Sequence, residues 1–133
     1  MTDQQRQQII EAALAMRERA YAPYSRFRVG AAVLTASGKV HVGCNVENAS
    51  FGLTLCAERV ALAAAVAAGD LQLVALAVAL EGGGMPCGAC RQFAAEFRHD
   101  LPVLVIDAAQ PDRIVETNLS ELLPKQFQLR QPY

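Results

Sequence analysis

The run LQLVALAVAL at residues 71–80 limits the possible folds more than any other stretch. Its apolar residues show little alternation, so a strand made from it needs cover on both faces, as a central strand between two layers of helices has. A second run, PVLVID at residues 102–107, makes the same demand. Neighbouring segments supply the cover. Residues 4–20 place Ile9, Ile10, Ala13, Leu14 and Met16 at helical spacing among Gln, Glu and Arg. FRVGAAVLTASGKVHVGCNV reads as two strands joined at Ala36-Ser37-Gly38-Lys39, with His41 on the second strand pointing to solvent. Residues 54–68 have the composition of a buried helix that stops at Gly69, and a further helix runs from residue 87 to about 98. A weak strand over residues 113–117 and a short helix near residues 119–123 follow. The order of elements predicts an α/β fold, a three-layer α-β-α sandwich around a mixed five-stranded sheet. At 133 residues, without repeat, linker or low-complexity segment, the chain is expected to form a single domain over residues 1–133.

Charge narrows the function. The net charge is −1 and no run of Lys or Arg stands out, whereas polynucleotide binding leaves a clustered basic footprint. A small substrate is therefore favoured over nucleic acid. The polar start MTDQQRQQ lacks the apolar segment of a signal peptide, and no apolar stretch approaches a membrane span without interruption. The expectation is a cytoplasmic protein without a membrane partner. The 53% hydrophobic content is rich in alanine and includes no tryptophan, a composition that allows close packing and often accompanies association between subunits.

The chemistry lies in two short patterns, Cys56-Ala57-Glu58 and Pro86-Cys87-Gly88-Ala89-Cys90, each opening a helix. Cys87 and Cys90, three apart, share a helix face and can share a metal. Cys56 and Glu58, two apart, serve one site only if the helix points its end at it. Two such ends would aim free N–H groups and positive dipoles at one spot, which favours thiolates, the form that binds zinc. Three thiolates leave the fourth tetrahedral position of Zn²⁺ open, as in catalytic sites. Three thiolates and Zn²⁺ sum to −1, so the neighbouring Arg59 is suited to donate hydrogen bonds to sulfur and offset that charge.

Cys-x-Glu followed by Pro-Cys-x-x-Cys resembles the zinc deaminases, in their all-cysteine form. Together with YAPYSRFRVGAA, GCNVENASFG, CAER, PCGACRQ and ELLPKQF, the pattern resembles the small homotetrameric cytidine deaminases over residues 10–127. That resemblance implies an enzyme with one Zn²⁺ per chain, held by Cys56, Cys87 and Cys90. It implies hydrolytic deamination of cytidine and 2′-deoxycytidine to uridine and 2′-deoxyuridine, a step of pyrimidine salvage, with hydroxide attacking C4 and Glu58 shuttling protons. The Ala57 N–H would bond the base carbonyl, Phe27 would pack on the base, and Asn45 and Glu47 would hold the ribose hydroxyls. Phe127 and the stretch from Ala49 to Phe51 would reach into a neighbouring subunit's site, so that a homotetramer completes each pocket.

The sequence departs from that family at a few positions. Phe51 stands where tyrosine is usual, Met85 where a serine commonly precedes Pro-Cys, and Val60 replaces a frequent threonine. These bear on substrate preference rather than on the reaction. A blasticidin-type or other modified-cytosine deaminase shares the layout, and a non-catalytic zinc-stabilised module is the reading from another class. A structural zinc would need a fourth ligand, for which Cys44, His41 and His99 are the candidates, although Cys44 in a Val-rich strand suits plain packing. A lone CxxC also suits a redox dithiol, but that leaves Cys56-Ala57-Glu58 without a role.

Overall fold

The structure is a computed structural model and describes residues 1–129. Its centre is one five-stranded sheet in the order β2-β1-β3-β4-β5, formed by β1 (Gly30–Thr35), β2 (Val40–Cys44), β3 (Leu73–Leu80), β4 (Pro102–Asp107) and β5 (Ile114–Asn118). β3 and β4 pair in parallel and the other neighbours are antiparallel, so the sheet is mixed. The parallel pair requires a crossover, which α3 (Gly88–Ala95) provides. β3 is buried along almost its whole length. Its Ala75, Ala77 and Ala79 pack with Ile9, Ile10 and Ala13 of α1 (Asp3–Met16) on one face. Its Leu73 and Leu76 pack with Ala57, Ala61 and Leu62 of α2 (Ala57–Ala67) and Ala94 and Ala95 of α3 on the other. The expected three layers are thus present, and α4 (Leu119–Leu122) adds Leu119 to the second face. No helix among the described residues is long and apolar enough to cross a membrane.

Several element boundaries differ from the sequence reading. Helix α1 stops at Met16, and residues 17–19 form a tighter turn. α2 begins three residues later than expected, because Leu55 is held in an extended bridge to Val46 and Cys56 is the N-cap. α3 ends at Ala95, where Phe97 and Arg98 both turn their N–H groups back to the Ala94 carbonyl. Leu71 and Gln72 are exposed and precede the strand.

Two further expectations are corrected. α2 buries only one face, through Ala57, Glu58, Ala61, Leu62 and Ala65, while Ala63, Val66 and Ala67 are exposed. A single sheet covers one side of a helix, and alanine suits either environment. His41 does not point to solvent. Its Nε2 lies 3.0 Å from Asp70 Oδ2, which also accepts from Thr35 Oγ1 and from Ser37 Oγ at 2.8 Å. These donors, with Thr35 first, hold the Asp70 carboxyl down to about 2 and tie the β1–β2 turn to the loop before β3.

One close contact between layers is at Gly43 in β2, where α2 lies against the strand. A Cβ there would come within 2.4 Å of Ala61 N and 2.6 Å of Ala57 O, both main-chain atoms that cannot swing aside. Gly43→Ala should therefore push α2 off the sheet. Its unfolding free energy in denaturant titration is expected to fall by about 1–3 kcal/mol, as for other overpacked cores. Unchanged stability would show that the layers are less closely apposed.

Candidate metal centre and substrate cleft

Cys56 and Cys87 are the N-cap residues of α2 and α3, both with extended backbone and neither using its side chain as a cap. The two helices pack on the same face of the sheet, so their N-termini meet with Cys90 one turn into α3. Cys56 Sγ lies 3.9 Å from Cys87 Sγ, and Cys87 Sγ lies 3.6 Å from Cys90 Sγ. All three sulfurs fall within 4.8 Å of one another, the only such metal-ligating cluster among the described residues. A tetrahedral zinc with Zn–S bonds of about 2.3 Å requires sulfurs about 3.8 Å apart, close to the separations of Cys87 from Cys56 and from Cys90. Cys44 on β2 is half-buried and outside the cluster.

Electrostatics point the same way. The Cys56 thiol is lowered to about 5 by the neighbouring Cys90 thiol and by donation from Arg59, against the opposing effect of burial. The Cys90 thiol is raised, through the neighbouring Cys56 and through burial. One sulfur of this pair ionises readily and the other resists, because adjacent like charges cannot coexist without a cation. Arg59 Nη2 donates to Cys56 Sγ at 3.3 Å, and among the described residues no ion pair joins Arg59 to Glu58. Arg59 Nε is buried and has no hydrogen-bond partner among the described residues. Glu58, 6% exposed, has its carboxyl raised by burial and by the negative charge on Cys56.

Glu58, Cys56, Cys87 and Ala57 line one cleft of about 370 Å³, together with Phe27, Asn45 and Glu47. Ala57 is the first residue of α2, and its N–H has no acceptor within the helix. Asn45 is buried and braces the wall: its Nδ2 donates to Phe27 O at 2.7 Å, and its Oδ1 accepts from Val29 N at 3.0 Å. Glu47 Oε1 accepts from Tyr24 N at 2.9 Å and Ser25 N at 3.0 Å, and Oε2 accepts from the Ser25 hydroxyl. Ser25 foremost thus holds the Glu47 carboxyl below its ordinary value.

The remaining sequence candidates lie elsewhere. Phe51 is 73% exposed and stacks edge-on against Tyr24 with centroids 5.7 Å apart, beside an adjoining cavity. Ala49 is exposed, and Phe127 is 71% exposed, its carbonyl accepting from Gln92 Nε2 at 3.3 Å. None of these three lines the Glu58 cleft of its own chain.

Ser25 went unrecognised in the sequence. It donates to Glu47 and accepts from Phe27 N at 3.0 Å, across a turn that puts Arg26 in the left-handed region at φ 58°. The only hint was its place in Pro-Tyr-Ser, a turn-forming composition.

Known proteins resemble this chain in sequence and fold. Residues 3–106 match the family described as the cytidine and deoxycytidylate deaminase zinc-binding region. The chain is 48% identical over 124 residues to a cytidine deaminase of Halalkalibacterium halodurans, covering 92% of this chain and 93% of that one. It is 42% identical over 131 residues to a probable cytidine deaminase of Dictyostelium discoideum, covering 96% and 86% of the two chains. Among solved structures, a cytidine deaminase from Burkholderia pseudomallei superposes with a TM-score of 0.87 at 48% identity, covering 96% of this chain and all of that one.

In the metal-free protein, Cys56 should react with iodoacetamide as a thiolate. Its modification, followed by peptide mass mapping against pH, is expected to be half-maximal near pH 5, with Cys90 unmodified at neutral pH. A Cys56 that reacts only above pH 8 would contradict the charge distribution described above.

Proposed function

The chain belongs to the cytidine and deoxycytidylate deaminase family, and on that premise we propose that it hydrolyses cytidine and 2′-deoxycytidine to uridine and 2′-deoxyuridine with release of ammonia. One zinc ion per chain is held by Cys56, Cys87 and Cys90, whose sulfurs have the spacing it needs. The observation that carries this reading is the buried Glu58 carboxyl, raised in pKa, lining the same cleft as the converging thiols. Zinc, when bound, supplies a water activated near neutral pH.

Every proton step falls to Glu58. Its carboxylate accepts one proton from the attacking water and delivers it to N3 of the pyrimidine as oxygen bonds to C4. It then accepts the second proton from that oxygen and passes it to the exocyclic amine. The C4–N bond breaks, ammonia leaves, C4 becomes a carbonyl, and N3 keeps its proton. A raised pKa suits a carboxyl that must hold and release a proton in each half of the reaction. Arg59, donating to Cys56, offsets the negative charge of the sulfurs and leaves the Glu58 carboxylate free.

Binding is assigned to Ala57, beside Glu58, and to Phe27, Asn45 and Glu47 in the same cleft. The Ala57 N–H bonds the base carbonyl and Phe27 packs on the base. Glu47, kept ionised by its three donors, accepts from a ribose hydroxyl. Asn45 retains one amide hydrogen beyond the one given to Phe27 O, and that hydrogen is available to the sugar.

Tyr21, Phe51, Leu53 and Phe127 are each more than half exposed, an apolar surface suited to burial between subunits. We assign it to a homotetramer in which Ala49, Phe51 and Phe127 complete a neighbour's cleft. Reaction on free nucleosides suits pyrimidine salvage, which we assign to the cytoplasm.

Glu58→Gln tests the mechanism. It should keep zinc and the tetramer while kcat for cytidine, followed by absorbance loss, drops about 10²- to 10⁴-fold. Near-normal turnover in this variant would sink the assignment of Glu58.

A further inference from the structure

Arg91 is the only charged residue of α3 and follows Cys90 directly. It is half-buried, and among the described residues it forms no ion pair. Its guanidinium meets main-chain carbonyls instead. Nε donates to Pro86 O at 2.7 Å and Nη1 donates to Leu122 O at 2.8 Å. Pro86 is buried and immediately precedes Cys87. Proline has no N–H, so its carbonyl is the only main-chain group through which residue 86 can be tied down by a hydrogen bond. Leu122 is the last residue of α4, whose first residue packs into the core beneath α2 and α3. The guanidinium therefore fastens the loop carrying Cys87 to an element already fixed by the core. Its planar fork can serve two acceptors at once, which an ammonium at the same place cannot match.

We propose that Arg91 is a positioning residue for the metal site: by holding the Pro86 carbonyl against the end of α4, it fixes Cys87 at the N-cap of α3, so that zinc retention depends on a cation that donates to carbonyls rather than to sulfur. This is a different task from that of Arg59, which donates to a cysteine directly. The proposal rests on the reading of Cys87 as a zinc ligand.

The same chain contains an internal control. Arg98 also donates from one nitrogen to main-chain carbonyls, Leu73 O at 2.9 Å and Val74 O at 3.3 Å, but it lies beyond the other end of α3. The experiment mixes zinc-loaded protein with excess 4-(2-pyridylazo)resorcinol and follows the rate of zinc transfer to the chelator. Arg91→Met keeps much of the aliphatic stem and removes every donor. It is expected to release zinc about 10- to 100-fold faster than the parent, the range seen when groups supporting metal ligands are lost. Arg91→Lys should restore part of the difference, and Arg98→Met should release zinc at the parental rate.

Parental release from folded Arg91→Met overturns the proposal. So does acceleration in Arg98→Met equal to that in Arg91→Met, which would mark a general loss of stability. If Arg91→Met does not fold, Arg91→Lys decides: about tenfold faster release supports the role and parental release overturns it. Cys87→Ala, purified in parallel, tests the ligand reading by itself. It should contain no zinc, and full zinc in that variant would remove the premise whatever Arg91 does.

Discussion

Two helix N-termini converge on one point, and most of what this protein can do depends on that convergence. Sulfurs at the starts of α2 and α3 face unpaired N–H groups and the positive ends of both helix dipoles. That environment favours thiolates, but three of them together repel. The opposite displacements of Cys56 and Cys90 express this conflict, and a divalent cation with Arg59 beside it resolves it. The convergence in turn needs α2 and α3 side by side on one face of β3, and small residues make this possible. Gly43 lets α2 touch the backbone of β2, and the alanines of α2 and α3 bring the helices down onto the sheet.

The part of the cleft that carries Phe27, Asn45 and Glu47 is braced by hydrogen bonds. Asn45 fixes the main chain at Phe27 and Val29, while Ser25 joins Phe27 to Glu47. Side chains assigned to base and sugar are thereby linked to each other before a nucleoside arrives, so little ordering is left for binding to accomplish. The same bonds keep Glu47 ionised, which suits an acceptor of hydroxyl hydrogens.

Much of this was legible in the sequence, for particular reasons. The apolar runs of β3 and β4 could satisfy only a sheet covered on both faces, and the expected bounds of β4 coincide with the observed Pro102–Asp107. Proline and cysteine spacing marked the start of α3 well. Other features depend on partners that sequence does not display. His41 and Asp70 are distant along the chain and meet only because β2 and the α2–β3 loop lie together, so an alternating strand pattern misplaced the histidine. The exposed side of α2 is nearly all alanine, which carries no sign of its environment. Arg91 binds carbonyls, which every residue possesses, and no sequence pattern singles them out. Ser25 matters through a left-handed turn at Arg26, a conformation that arginine does not advertise.

The proposed reaction requires a zinc held by three sulfurs with its fourth position open to solvent and substrate. X-ray absorption at the zinc edge of the loaded protein tests it most directly. The expected spectrum shows three sulfurs at about 2.3 Å and one lighter oxygen scatterer at about 2.0 Å. Four sulfurs, which would bring Cys44 into the site, or a histidine ring among the scatterers would contradict it.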